Sequence, residues 1–90
     1  MTLFELTKEL IDIPSVTGYE KEITNYLRLY LKDLKFNVHE QKVEKERTNL
    51  LATSGSKPKI IFCTHMDTVS PYFSASEDAS FIYGRGACDS

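Results

Sequence analysis

The chain has no apolar run longer than Ile60-Ile61-Phe62-Cys63, far short of the ~20 residues that a membrane-crossing helix needs. It has no excess of basic charge. Eleven Lys and Arg stand against 13 Asp and Glu, a net charge of −2, so nothing is left over to neutralise a phosphate backbone, and neither nucleic acid nor a membrane is an expected partner. It has only two cysteines, Cys63 and Cys88, too few for a disulfide scaffold and not at CxxC spacing. Its first residues lack an uninterrupted apolar stretch, because Glu5, Lys8 and Glu9 break it, and do not read as a signal peptide. No internal repeat is visible, and no linker is long enough to divide domains. These absences describe a soluble, cytoplasmic chain with reduced thiols. What is present is ordinary: 41% hydrophobic and 27% charged residues argue against disorder. A chain of this length buries roughly 60–68% of the surface that it exposes when unfolded, enough for one small domain or a piece of a larger one.

The hydrophobic spacing predicts two helices followed by short strands. Thr2-Leu3-Phe4-Glu5 has the form of a capping box, and Leu3, Leu6, Leu10 and Ile13 follow at helical spacing. Pro14 disfavours helical geometry at the residue before it, which ends this helix near Asp12. After a turn over residues 13–18, Thr17-Gly18-Tyr19-Glu20 offers a second capping box. Ile23, Leu27, Tyr30, Leu31 and Leu34 then make one apolar stripe. From Phe36 the pattern alternates, predicting a half-exposed edge strand through Val38 and a solvated, charged turn over residues 42–47. His39 falls on this strand as a solvated residue. Asn49-Leu50-Leu51-Ala52 reads as a second short strand, and residues 54–58 as a turn. The continuous run over residues 59–64 predicts a strand covered on both faces, with Cys63 as a small buried thiol. Residues 74–80 read as a mobile loop. Phe81-Ile82-Tyr83 is a brief apolar return before the turn at Gly84-Arg85-Gly86. The fold class is α/β: two N-terminal helices, then the short strands of a mixed sheet.

Chemistry is expected where the best strand ends. His65 and Asp67 leave its C-terminal end, the place where ligands gather in open α/β sheets, and residues two apart on extended backbone point to one side. A neutral imidazole is a good metal ligand, and its second ring nitrogen needs an acceptor to fix the tautomer. Asp67 is placed to supply that acceptor. Taken alone, the pair is more simply a strand-end histidine beside an aspartate that caps the next turn. Asp89 closes the turn Gly84-Arg85-Gly86-Ala87-Cys88, and a carboxylate so placed has two oxygens with which to bridge two cations. A surface aspartate in a polar turn is the simpler reading of Asp89 alone. The Gly-x-Gly is no dinucleotide fingerprint, since it lacks a third glycine and a following helix. Arg85 is expected to fix the turn to a neighbouring carboxylate, with an approach to substrate as the alternative, and Cys88 to pack.

In combination these segments resemble a known family. His65-Met66-Asp67-Thr68-Val69 and Tyr83-Gly84-Arg85-Gly86-Ala87-Cys88-Asp89 are similar to two signatures of the zinc aminoacylase and carboxypeptidase G family. Acetylornithine deacetylase and succinyl-diaminopimelate desuccinylase belong to it as well. The opening Leu10-Ile11-Asp12-Ile13-Pro14-Ser15-Val16-Thr17-Gly18 and Asn49-Leu50-Leu51-Ala52 match it too, so that the resemblance runs over nearly the whole chain. It implies that residues 1–90 are the N-terminal part of a zinc-exopeptidase-like catalytic domain, with the remaining ligands, the general base and a lid domain that often dimerises lying elsewhere. It implies that His65 binds one zinc, that Asp89 bridges two and that Asp67 orients His65 as a catalytic residue. The bond after Asp89 is often cis in the family, and Asp89–Ser90 is expected to be so. Zn2+ is the implied ion, with Co2+ or Mn2+ as substitutes, and the implied substrate is a small peptide or an N-acyl amino acid. On this resemblance the parent protein hydrolyses amide bonds, and the 90 residues alone, with too few ligands, do not. The alternative is a non-catalytic α/β module, used for interaction or regulation, that has lost its metal site.

Overall fold

A computed structural model of the chain describes residues 2–44, 47–55 and 60–89. Helix α1 (Leu3–Asp12) begins where the sequence expects, with the Thr2 hydroxyl accepting a hydrogen bond from the Glu5 N–H at 3.1 Å. It ends at Ile13, whose backbone is already extended before Pro14. Its buried residue is Ile11, 6% exposed, rather than a member of the expected stripe, of which Leu3 is 80% exposed.

Helix α2 (Lys21–Asp33) starts one turn later than a capping box at Thr17 would place it, and Glu20 occupies its N-cap position without a side-chain cap. Glu20 instead turns to Arg47, 3.1 Å away. Ile23 is the buried anchor of the helix, Leu27, Tyr30 and Leu31 are half-buried, and Leu34 at the far end is exposed.

Strands β1 (Asn37–Glu44) and β2 (Arg47–Thr53) form an antiparallel hairpin, pairing from Asn37–Thr53 to Glu44–Arg47 with an irregularity between Lys42 and Glu44. Both strands are longer than the sequence reading. Lys42 to Glu44 continue β1 and Arg47 begins β2, because an exposed strand keeps charged side chains in water on either face; of the turn expected over residues 42–47, residues 45 and 46 lie outside the described residues. His39 is exposed on β1, as expected. Helix α2 lies against this hairpin, and Arg28 and Glu40 form an ion pair across that contact, 3.2 Å apart. The turn expected over residues 54–58 lies largely outside the described residues.

Two expectations are overturned further along. No β-ladder includes residues 60–67, and Ile60, Ile61 and Phe62 are 71%, 83% and 93% exposed. Cys63 is exposed too, and so is Cys88. A continuous apolar run records a preference for burial, but a strand also needs neighbouring N–H and C=O groups, and the described residues place no strand beside this run. The expected loop over residues 74–80 is instead part of a small hairpin, in which β3 (Ser76–Glu77) pairs antiparallel with β4 (Ile82–Tyr83). Asp78 makes its turn, accepting the N–H groups of Ser80 and Phe81 at 2.8 Å each. Among the described residues the architecture is thus two helices followed by antiparallel strands in two separate two-stranded sheets, not one mixed sheet.

This second hairpin is strapped to α1. The Asp12 carboxylate accepts the Ala75 N–H at 2.7 Å, the Tyr72 hydroxyl donates to the Asp12 carbonyl at 2.6 Å, and Lys8 pairs with Glu77. Gly84 passes so close to α1 that a Cβ there would fall 2.4 Å from Ile11 Cγ2, a contact open only to glycine.

Candidate metal centre

The site is assembled by the turn between the helices. Val16 and Thr68 form an isolated parallel bridge, in which the Thr68 N–H donates to the Ser15 carbonyl at 2.7 Å and the Thr17 N–H to the Thr68 carbonyl at 3.1 Å. The Ser15 and Thr68 hydroxyls meet at 3.2 Å, and Ser15 is buried. Residues 15–17 thereby fix the backbone just after His65 and Asp67.

The imidazole of His65 lies between two aspartates. Its Nδ1 is 3.0 Å from the Asp67 carbonyl oxygen and 3.3 Å from the Asp67 Oδ1. A carbonyl only accepts, so Nδ1 is the donor in this contact, and in the neutral imidazole the lone pair then lies on Nε2. Nε2 faces Asp89 Oδ2 at 3.5 Å. The two positions expected from the sequence to hold metal are therefore neighbours, and Asp67 sits behind the imidazole. Its backbone carbonyl shares with its carboxylate the acceptor role expected of the carboxylate alone. Both His65 and Asp89 border an open cleft of about 330 Å³ whose floor includes Ile11, Ser15 and Ile23. Among the described residues, no group of three or more His, Cys, Asp or Glu comes together to hold a metal ion. The expected cis bond at Asp89–Ser90 involves Ser90, outside the described residues.

Thr17 is the residue that the sequence misassigned. Its hydroxyl donates to Asp67 Oδ2 at 2.6 Å instead of capping α2. That hydrogen bond is the main reason the Asp67 carboxyl is held below the ordinary aspartate range. Its own backbone N–H and the charges of His65 and Arg47 act in the same direction, against a desolvation that opposes them. The available signal was Ser15-x-Thr17, two hydroxyls at strand spacing facing one neighbour.

Arg85 fixes the turn, but through a backbone carbonyl rather than the expected carboxylate, and in a more buried place than its turn suggested. It is 5% exposed, donates from Nη2 to the Ile13 carbonyl at 2.9 Å, and lies 4.6 Å above the Tyr72 ring. This guanidinium joins the turn before Asp89 to the end of α1. Nε and Nη1 are buried without a hydrogen-bond partner, and the Tyr72 ring face offsets part of that cost. Gly86, at φ +70°, has Thr68 Cγ2 2.8 Å from where a Cβ would stand, so this glycine lets the Asp89 turn close onto the His65 segment.

No family model and no solved structure matches the chain. Individual proteins do match. A peptidase M20 domain-containing protein of Schizosaccharomyces pombe is 34% identical over 92 residues, covering 97% of the chain and 23% of the relative. A probable carboxypeptidase of Emericella nidulans is 38% identical over 95 residues, covering 93% and 22%. A putative LysW-lysine/LysW-ornithine hydrolase of Pyrococcus abyssi is 30% identical over 82 residues, covering 91% and 23%. The chain thus spans less than a quarter of the length of these relatives, all of them named as peptidases or hydrolases. Each match covers more than nine-tenths of it, and the chain belongs to the M20 peptidase family.

Proposed function

We propose that this chain supplies one part of a dinuclear, metal-dependent amide hydrolase, in which His65 and Asp89 hold metal and Asp67 holds His65. The observation that carries this reading is the approach of His65 Nε2 to Asp89 Oδ2 at 3.5 Å. Both atoms are acceptors when Nδ1 carries the imidazole proton, and two lone pairs facing each other call for a cation between them. Zinc bonds of 2.0–2.2 Å at the tetrahedral angle place two ligand atoms roughly 3.3–3.5 Å apart, so this pair has the spacing of two ligands on one ion. The second carboxylate oxygen of Asp89 is available for a second ion. Zn2+ suits the mixed nitrogen and oxygen donors, and Co2+ or Mn2+ are the substitutes. Bound there, the ions would acidify a water and polarise the scissile carbonyl.

The residues of this chain do the holding. Asp67 holds and aims the imidazole, the turn at residues 84–88 carries Asp89 to it, and the cleft beside the pair admits a small peptide or an N-acyl amino acid. Asp67 has its oxygens turned to Thr17 and His65, which leaves it poorly placed as a general base. The base and the further ligands therefore belong to a longer protein of zinc-exopeptidase-like, cytoplasmic type, and residues 1–90 form the N-terminal part of its catalytic domain. The 90 residues alone bind zinc weakly and do not turn over amides.

The test is made in the intact protein that carries this chain. His65→Ala and Asp89→Ala should each abolish metal-dependent hydrolysis of N-acyl amino acids and dipeptides, and His39→Ala should leave it near normal. Retained activity in either of the first two, or tight stoichiometric zinc with turnover in the 90 residues alone, overturns the proposal. Loss of no activity because none exists in the intact protein would instead favour the non-catalytic module.

A further inference from the structure

We propose that Thr17 is a positioning residue for this site: from the turn between α1 and α2 its hydroxyl fixes the Asp67 carboxylate so that Oδ1 is presented to the His65 imidazole. The inference rests on the metal-centre reading for its consequence, and on geometry for its cause.

An aspartate carboxylate turns about a broad torsion, so one contact at Oδ1 does not set its plane. Here the two oxygens are held by different partners: Thr17 donates to Oδ2 at 2.6 Å, and Oδ1 lies 3.3 Å from Nδ1. The Thr17 contact has the length of a strong O–H···O⁻ bond. Its donor is itself anchored, because the Thr17 N–H is bound to the Thr68 carbonyl and Val16 is bridged to Thr68, and because a β-branched side chain has few rotamers. The hydroxyl is not engaged in capping α2, which starts at Lys21 with no side-chain cap. Thr17 is also exposed, so its side chain contributes little packing, and its contribution is the hydrogen bond. The chain runs 50 residues between donor and acceptor, which makes this contact a property of the fold rather than of a local turn. Groups that orient a ligating imidazole change metal affinity by roughly 10–100-fold. A hydroxyl one bond further out should act through Asp67 with a smaller effect.

Thr17→Val keeps the shape and removes the donor, while Thr17→Ser keeps the donor and removes the methyl. Three readouts separate positioning from stability: the ¹⁵N signals of the His65 ring in metal-free protein, Zn2+ affinity by competition with a chromophoric chelator, and the melting temperature. Thr17→Val should weaken Zn2+ by about 5–10-fold and shift the His65 signals toward a mixture of tautomers. Thr17→Ser should restore both, and Thr17→Val in an Asp67→Asn background should change neither. Unchanged affinity and ring signals in Thr17→Val overturn the inference, and so does a Thr17→Ser variant that behaves like Thr17→Val. If Thr17→Val does not fold, Thr17→Ala replaces it in the same comparison. Should His65→Ala leave Zn2+ binding intact, the metal reading fails, and the ring signals alone decide whether Thr17 positions Asp67.

Discussion

Residues 60–68 are one continuous segment with two unlike ends. At one end Ile60, Ile61 and Phe62 lie open to solvent, outside any ladder. At the other, Thr68 is bonded on both sides to residues 15 and 17, and Asp67 is held through its side chain. The contrast shows that a position can be well defined without a sheet beneath it. Two backbone bonds and two hydroxyls from a six-residue turn set the His65 end, whereas a strongly apolar sequence alone sets nothing at the other.

The largest effect that tests this contrast is on stability. Ile23, 3% exposed beneath the site, should lose about 2–5 kcal/mol on Ile23→Ala, whereas Phe62→Ser should stay within about 0.5 kcal/mol of the parent chain, as surface changes do. Chemical denaturation of the 90-residue chain measures both. A large loss at Phe62 would show that the apolar end is covered in solution, and would erase the contrast.

How much of this was legible beforehand depends on whether a feature is local. The Thr2 cap and the end of α1 before Pro14 follow from residues within a few positions of each other, and the sequence reading of them stands. The approach of Asp89 to His65 was expected through a resemblance, since nothing in the 23 intervening positions states that the chain returns. Thr17 was misread because Thr-x-x-Glu is a local capping pattern, and a partner 50 residues away outcompeted it. The run at residues 60–63 was misread for the converse reason. Its composition declares what should cover it, but no spacing in the sequence says whether the cover is present. Residues 74–80 read as a loop because Ser76 and Glu77 carry no strand pattern, although Asp78, followed closely by Ser80, offers a turn signal ahead of the apolar Phe81-Ile82-Tyr83.

A middle-sized effect sharpens the account of the well-held end. Gly84→Ala drives a methyl into Ile11 and should cost about 1–3 kcal/mol. The loss should appear in the melting temperature and, in the intact protein, as weakened Zn2+ binding, because the Asp89 turn starts there. A stable Gly84→Ala variant would show that α1 gives way more easily than its straps imply.

The smallest effect concerns acid. Asp78 is held below the ordinary aspartate range chiefly by the Tyr83 hydroxyl, and then by the N–H groups of Ser80 and Phe81. A carboxyl lowered on folding contributes stability that is fully present above its unfolded value, roughly 3.9, and is lost as the pH falls through its lower folded value. Melting temperatures recorded from pH 6 down to pH 2 should therefore fall below about pH 4, and Asp78→Asn should make that fall shallower. An identical acid limb in the variant would mean that the hairpin contributes nothing there.

The buried guanidinium of Arg85 has a mechanical consequence. By grasping the Ile13 carbonyl from inside the glycine turn, it makes the opening helix and the closing aspartate neighbours through a single side chain. A deletion of the first fourteen residues would leave His65, Asp67 and Asp89 in the chain, yet it would take away the peg on which Asp89 hangs and leave His65 facing an acid free to drift.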